Sequence, residues 1–229
     1  MSIFRTHSST PPVVLNLIIA NLVVFMATLL YDNNMLYANF AMFNVDYRCL
    51  GETGMTLFEP WQPLTYMFMH GGFSHLFFNM FSLWVFGRTL ELELGAKRFL
   101  IYYIVCGVGA ALFQMGIAQI DLAGCAIGST EWIMYMKTPT VGASGAIFGL
   151  LLAFGLLHPN SMISLIFPPI TLKAKWFVII YGVLELLLGV SGTMSGVAHF
   201  AHIGGMFWGW LLLLLWRHQA RKNNNYYQY

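Results

Sequence analysis

Of the 229 residues only 9% are charged while 58% are hydrophobic, and the mean hydropathy is +0.67. A water-soluble globule does not carry that balance, so an integral membrane protein is expected. The net charge of +2 gives no reason to expect nucleic acid as a partner.

A helix needs about 20 mostly apolar residues to cross the hydrocarbon layer, and the chain supplies six such stretches. The expected fold class is therefore an all-α integral membrane protein. Its six-transmembrane-helix bundle fills 12–216, between a short N-terminal tail, 1–11, and a C-terminal tail, 217–229. Met1 to Thr10 is polar, and the apolar run after it ends at Tyr31-Asp32 without a small-residue cleavage site. Pro12 to Tyr31 is thus expected to stay as the first span. Ser9 or Thr10 can cap that helix, and Pro11 and Pro12 suit its first turn, where the missing amide hydrogens would be orphans anyway. A long loop with Asp32, Asp46, Glu52 and Glu59 leads to the second span, Pro63 to Leu90, which carries His70, His75 and Asn79. The third runs from Phe99 to Ile120 and holds Cys106. The fourth, Val141 to His158, opens on Gly142-Ala143-Ser144-Gly145, and the fifth, Trp176 to Val190, contains Glu185. The sixth, Val197 to Trp216, includes His199 and Ala201-His202-Ile203-Gly204-Gly205. Asn223 to Tyr229 reads as disordered.

All the Lys and Arg except Arg48 and Lys137 fall in alternate segments: the N-terminal tail, the second and fourth loops, and the C-terminal tail. Cations mark the cytoplasmic side, so both termini are expected inside and the long first loop outside. Trp176 beside Lys175 and Trp216 beside Arg217 fit an inner interfacial belt. The basic C-terminal tail reads as orienting the chain, with acidic lipid head groups as the alternative role. Three cysteines make no disulfide framework. Cys49 and Cys125 both fall in expected external segments and are able to pair, whereas Cys106 reads as packing.

With the N-terminus inside, the second, fourth and sixth spans all enter from the external side. Their first halves then share a depth, and into those halves fall His70, His75, Asn79, Ser144, His199 and His202. Polar side chains at that depth cost several kcal/mol unless they pair or line a wet cavity, so their clustering on three helices points to one site. Interhelical hydrogen bonding that only glues the bundle is the bland alternative. His75 and Asn79 are four apart and stand on one helical face. Gly145 and Gly149 on the fourth span, and Gly205 and Gly209 on the sixth, form small-xxx-small stripes that let two backbones approach closely. Such an approach is needed for a hydrogen bond of about 3 Å between Ser144 and His202. Ser144 also lies in the first turn of its helix, where unpaired amides favour an anion.

Three segments together, His-Gly-Gly-Phe-Ser-His-Leu-Phe-Phe-Asn at 70–79, Gly-Ala-Ser-Gly-Ala-Ile-Phe-Gly at 142–149 and Ala-His-Ile-Gly-Gly-Met-Phe-Trp-Gly at 201–209, strongly resemble the rhomboid intramembrane serine proteases. The resemblance runs from about Pro60 to Trp216 on the basic six-helix plan. It implies Ser144 as nucleophile and His202 as general base. His75, Asn79 and the Ser144 backbone amide match the oxyanion hole, Phe148 the aromatic position against the imidazole, and Gly142, Gly145 and Gly205 supporting positions. Trp61-Gln62 stands where many members have Trp-Arg in the membrane-embedded first loop. Glu91 and Gly95 match a structural Glu and Gly at the inner end of the second span. The resemblance further implies transmembrane protein substrates, cut near their external ends and unwound before attack.

No acid accompanies His202 in these motifs, so a dyad is expected, its imidazole held by Phe148 and close helix contact. Glu185, in an expensive place for a carboxyl, reads as a protonated structural hydrogen bonder, or else as part of the water route or substrate gate. His70 and His199 read as supporting or water-contacting residues. Metal ligation by His70, His75, His199 and His202 is not expected, because no nearby carboxylate or Cys completes a set and HExxH is absent. No cofactor is expected either. A transporter would need a polar path through the inner halves of the spans, which are apolar apart from Glu91 and Glu93. A catalytically inactive relative that binds transmembrane clients is the stronger alternative. With no targeting segment in evidence, a bacterial plasma membrane is the expected location.

Overall fold

Apolar side chains on nearly every face of the long helices suit a bilayer, and packing concentrates where small residues and buried tyrosines let backbones meet. A computed structural model describes residues 10–49, 56–165, 169–191 and 198–222. Ser9, Arg5, Glu52, Val197 and the 223–229 tail lie outside the described residues. The chain is mostly helical. In order come α1 (Pro12–Leu30), α2 (Asn33–Phe40), a 3-10 turn at Tyr47–Cys49, α3 (Gln62–Thr65), α4 (Phe73–Ser82), α5 (Arg88–Leu94), α6 (Ala96–Ala123) and α7 (Thr130–Lys137). Then follow α8 (Ser144–Leu157), a hairpin of β1 (Met162–Ser164) and β2 (Thr171–Lys173), α9 (Ala174–Ser191) and α10 (His199–Lys222). Of these, α1, α6, α9 and α10 are long and apolar enough to cross a membrane.

The expected second span is divided. Gln62–Thr65 and the 3-10 turn Tyr66–Phe68 form a separate element, and the continuous rod begins only at Phe73. Gly71-Gly72 explains the break, since each glycine inside a helix costs about 1 kcal/mol relative to alanine. From Phe73 the rod runs through a π-helical stretch, Leu83–Gly87, into α5. Gly95, at φ +78°, then lets α6 start at once, because that left-handed backbone is cheap only for glycine. At 28 residues α6 overruns the expected third span at both ends. The α10 helix likewise continues past Trp216, so 217–222 are helical.

Thr10 does not supply the cap expected for α1, and the alternative, Ser9, lies outside the described residues. Pro11 occupies the cap position without a side-chain bond, and the Thr10 hydroxyl accepts from Trp84 Nε1 at 3.3 Å. The first-turn amides are met from another helix: Val13 N and Val14 N donate to the Glu91 carboxylate at 3.0 and 2.8 Å. An anion at the positive end of a helix is well placed there, and this Glu is buried.

The segment between α1 and α4 is fastened by polar groups. Gln62, fully buried, donates from Nε2 to Leu57 O at 3.0 Å and Ala38 O at 3.3 Å, and its Oε1 accepts Phe43 N at 3.2 Å. Trp61 Nε1 donates to Asn39 O at 2.8 Å. Asp46 accepts from Arg48 Nη2 at 2.7 Å and Trp132 Nε1 at 2.8 Å, while Arg48 reaches on to the Leu122 and Cys125 carbonyls, tying 42–49 to the end of α6 and to α7. Cys49 and Cys125 share a small cluster with Leu122, Trp132 and Met136, and no disulfide joins them. Met42 and Thr140 exchange backbone hydrogen bonds at 3.0 and 2.8 Å, an isolated bridge that connects this segment to the stretch entering α8.

At the centre α10 packs against both α6 and α8. A Cβ added to Gly205 would overlap the Gly145 carbonyl, and one added to Gly149 would meet Cys106 and, at 3.1 Å, the Gly205 carbonyl. The small-residue stripes thus do bring α8 against α10 at 145, 149 and 205. Gly209 is different: it faces Tyr102 and Cys106 of α6. The Tyr102 hydroxyl donates to Gly149 O at 2.9 Å, and that of Tyr66 donates to Gly107 O at 2.8 Å, so buried hydroxyls pin carbonyls where small residues leave room.

Candidate active site

The segment 140–143 delivers Ser144 to the head of α8. Gly142 N donates to Tyr66 O at 2.9 Å, and Gly142 takes φ +123°, which sends the chain sharply into the helix. A side chain at 142 would be strained, and its Cβ would stand 2.7 Å from His75 Nε2 and 3.7 Å from Ser144 Oγ. The histidine edge and the serine hydroxyl therefore border one small space. As first residue of α8, Ser144 has an amide with no carbonyl four residues behind it inside the helix.

Close contact of α8 with α10 places His202 Nε2 2.8 Å from Ser144 Oγ. Phe148, one turn beyond the serine, stacks on the imidazole with centroids 4.2 Å apart and planes 8° from parallel. Ser144 is half-buried and His202 buried. The ring is constrained on its face by Phe148 and at one nitrogen by the hydroxyl.

The expectation that no acid accompanies His202 is overturned. Glu185 of α9 places Oε2 2.9 Å from His202 Nδ1 and 2.7 Å from His199 Nδ1. All three side chains are buried. Motif spacing does not reveal this contact, because Glu185 lies on a different helix; its only sequence signal is a carboxyl deep in an apolar stretch. The set also supplies the carboxylate whose absence argued against metal ligation, and Glu185, His199 and His202 have the ligand types a zinc ion takes. Their spacing is that of hydrogen bonds: ligands about 2.0 to 2.1 Å from a tetrahedral ion stand roughly 3.3 Å apart, further than these oxygen–nitrogen pairs.

Gly71 N, just before α4, donates to Nδ1 of His75 on α4 at 3.4 Å, so a neutral His75 carries its proton on Nε2, the edge toward Gly142 and Ser144. Asn79 Nδ2 donates to His75 O at 2.9 Å, which engages one of its two amide hydrogens. No hydrogen bond links Asn79 to Ser144 or His202 among the described residues. His70 packs edge-on against His75, with centroids 5.1 Å apart, and its carbonyl accepts the Tyr37 hydroxyl at 2.8 Å.

A family model described as the Rhomboid domain matches residues 57–219, which contain every residue of this site. Rhomboid protease AarA of Providencia stuartii is 28% identical over 202 residues, covering 86% of this chain and 70% of that protein. Putative rhomboid protease YdcA of Bacillus subtilis is 32% identical over 159 residues, 69% of this chain and 67% of its own. RHOMBOID-like protein 4 of Arabidopsis thaliana is 32% identical over 157 residues, but those cover only 33% of its length. With its apolar helices, its serine and histidine on abutting helices and this match, the chain is an integral membrane protein belonging to the rhomboid family.

Proposed function

We propose that this protein is an intramembrane serine endopeptidase that cuts transmembrane protein substrates near the external membrane face. The observation that carries the reading is the 2.8 Å contact between Ser144 Oγ and His202 Nε2. The reaction begins when Ser144 Oγ attacks the peptide carbonyl carbon as its proton passes to His202 Nε2. His202 then gives that proton to the leaving amine as the C–N bond breaks. Water hydrolyses the acyl-enzyme by the same two transfers, with its proton returning to Ser144. During each step the carbonyl oxygen becomes an oxyanion, which the Ser144 amide, His75 Nε2–H and the remaining Asn79 amide hydrogen stabilise.

The rod 73–94 and α8, added to the four long helices, make a bundle of six spans, with the first loop outside and both termini in the cytoplasm. At 14 residues α8 is about 21 Å long against roughly 30 Å of hydrocarbon, so Ser144 at its head lies below the external surface. Water enters from that side. The bacterial relatives named as proteases support a bacterial plasma membrane as the location.

The test is cleavage of a transmembrane reporter by purified protein in liposomes, together with fluorophosphonate labelling of the serine. Ser144→Ala and His202→Ala should each abolish cleavage while the protein stays folded in the membrane, and His199→Ala should be much milder. Near-normal turnover by either of the first two ends the reading. A chain that neither cleaves nor labels is instead an inactive relative that binds transmembrane clients.

A further inference from the structure

We infer that Glu185 is a positioning residue for His202, converting the serine–histidine pair into a relay of three side chains drawn from α8, α10 and α9. This rests on the protease reading above. Its basis is geometric: Ser144 Oγ, His202 Nε2, His202 Nδ1 and Glu185 Oε2 follow one another with contacts of 2.8 Å at the serine and 2.9 Å at the carboxylate.

A neutral imidazole has one N–H and one bare nitrogen, and a carboxylate beside Nδ1 decides which is which. Glu185 accepts from Nδ1–H, so Nε2 is left bare toward Ser144, the form in which it takes the hydroxyl proton. The opposite tautomer would present an N–H to the nucleophile and accept nothing. Through the step, the Oγ–carbon bond forms, the carbonyl pair moves onto oxygen and the proton goes from Oγ to Nε2. Glu185 takes no proton. It keeps its hydrogen bond to Nδ1 while the ring is an imidazolium, and its negative charge offsets the positive charge that develops there.

His199 explains why the carboxylate stays in place. His199 and His202 are three apart on α10 and so share a face, and both Nδ1 atoms reach the same Glu185 oxygen. Two donors from one helix hold Oε2 against that face, and Phe148 blocks rotation of the His202 ring. The cost of a carboxyl in an apolar span is thereby offset by two charge-assisted hydrogen bonds. A lone structural glutamate has no need to be aligned with the nucleophile's own partner; this one is.

The experiment compares wild type, Glu185→Gln and Ser144→Ala, all full length in liposomes, on one transmembrane reporter. Glutamine keeps the size but can offer an N–H where the carboxylate only accepts. We expect kcat to fall about 100-fold or more, toward the ~10⁴-fold seen when the acid of a serine triad becomes its amide, with KM unchanged. In parallel, ¹⁵N spectra of histidine-labelled wild type, with His202 assigned from its loss in His202→Gln, should show Nδ1 protonated and Nε2 bare. A Glu185→Gln enzyme within about twofold of wild-type kcat, or one altered only in KM, overturns the inference. So does a resting His202 protonated on Nε2, a result readable even if the glutamine variant fails to fold. Wild type no more active than Ser144→Ala would instead sink the protease reading, while the tautomer still decides the role of Glu185.

Discussion

The ring of Phe148 lies flat against the imidazole of His202, 4.2 Å away and 8° from parallel, from one turn beyond the serine on the facing helix. Tyr181 of α9 borders Phe148 on another side, with centroids 5.8 Å apart, so the stack is itself supported. An aromatic pair of this kind contributes about 0.5–1.5 kcal/mol, or roughly 2- to 10-fold in rate if it serves chiefly to orient the base. Phe148→Leu should therefore lower kcat by roughly 2- to 10-fold with little change in KM. Steady-state kinetics on a transmembrane reporter measure both. A raised KM at unchanged kcat would move Phe148 from holding the base to holding substrate.

The proposed oxyanion donors are unequal in the resting protein. His75 Nε2 faces the space beside Ser144, whereas the Asn79 amide is partly engaged by the His75 carbonyl. Loss of one preorganised donor elsewhere costs about 2.7–4 kcal/mol. Because His75 and the Ser144 amide remain, Asn79→Ala should lower turnover by only about 10- to 100-fold, and adding His75→Ala should lower it much further. Ground-state binding should hardly change, since these bonds strengthen only as charge develops. Unchanged kcat with a greatly raised KM for Asn79→Ala would assign Asn79 to substrate docking.

What was legible in the sequence was local. Ser144, Gly145, Phe148, His202 and Gly205 lie within two short motifs, and helical periodicity alone places Phe148 one turn from the nucleophile. Contacts between helices were less legible. Glu185 and His202 lie on different helices, α9 and α10, and no spacing rule predicts how two helices are rotated against each other. The division of the second span was written in Gly71-Gly72, but apolar content hid it, because hydropathy counts side chains and ignores backbone preference. Glu91 stood out as a buried acid, yet its partners are backbone amides 77 and 78 residues away, which carry no side-chain signature. At Gln62 an uncharged amide fastens the loop through three backbone groups.

The anchor of the first loop should be pH-dependent. Hydrogen bonds from the Arg48 guanidinium, aided by Trp132 Nε1–H and opposed by burial, hold the Asp46 carboxyl at about 2 against an ordinary 3.8. A carboxyl lowered by folding contributes stability that is complete above its unfolded value and is lost as pH falls through the folded one. The ties between 42–49, α6 and α7 should accordingly persist to about pH 4 and loosen toward pH 2. Hydrogen exchange of these segments from pH 5 to 2, in wild type and Asp46→Asn, measures this. The difference between the two proteins should shrink as pH falls; a constant difference would mean that Asp46 acts through shape rather than charge.

The meeting of α8 and α10 at Gly145 and Gly205 is the mechanical precondition for the 2.8 Å contact at Ser144. A methyl at 205 would overlap the Gly145 carbonyl, which belongs to backbone and cannot swing aside as a side chain could. The helices must part, and with them Ser144, next to Gly145, and His202, one turn before Gly205. Overpacking of a tight contact costs about 1–3 kcal/mol in stability, and displacing reacting groups by about 1 Å costs on the order of 100-fold in rate. Gly205→Ala should thus lower kcat by roughly 100-fold or more while the protein remains folded. Gly116 on α6 is the control, because a Cβ there meets nothing within 4 Å. Gly116→Ala should keep full activity and add up to about 1 kcal/mol of stability through helix propensity. Thermal unfolding and reporter cleavage on the two variants separate the effects. Normal turnover in Gly205→Ala would show that the α8–α10 contact is not what sets the distance between Ser144 and His202.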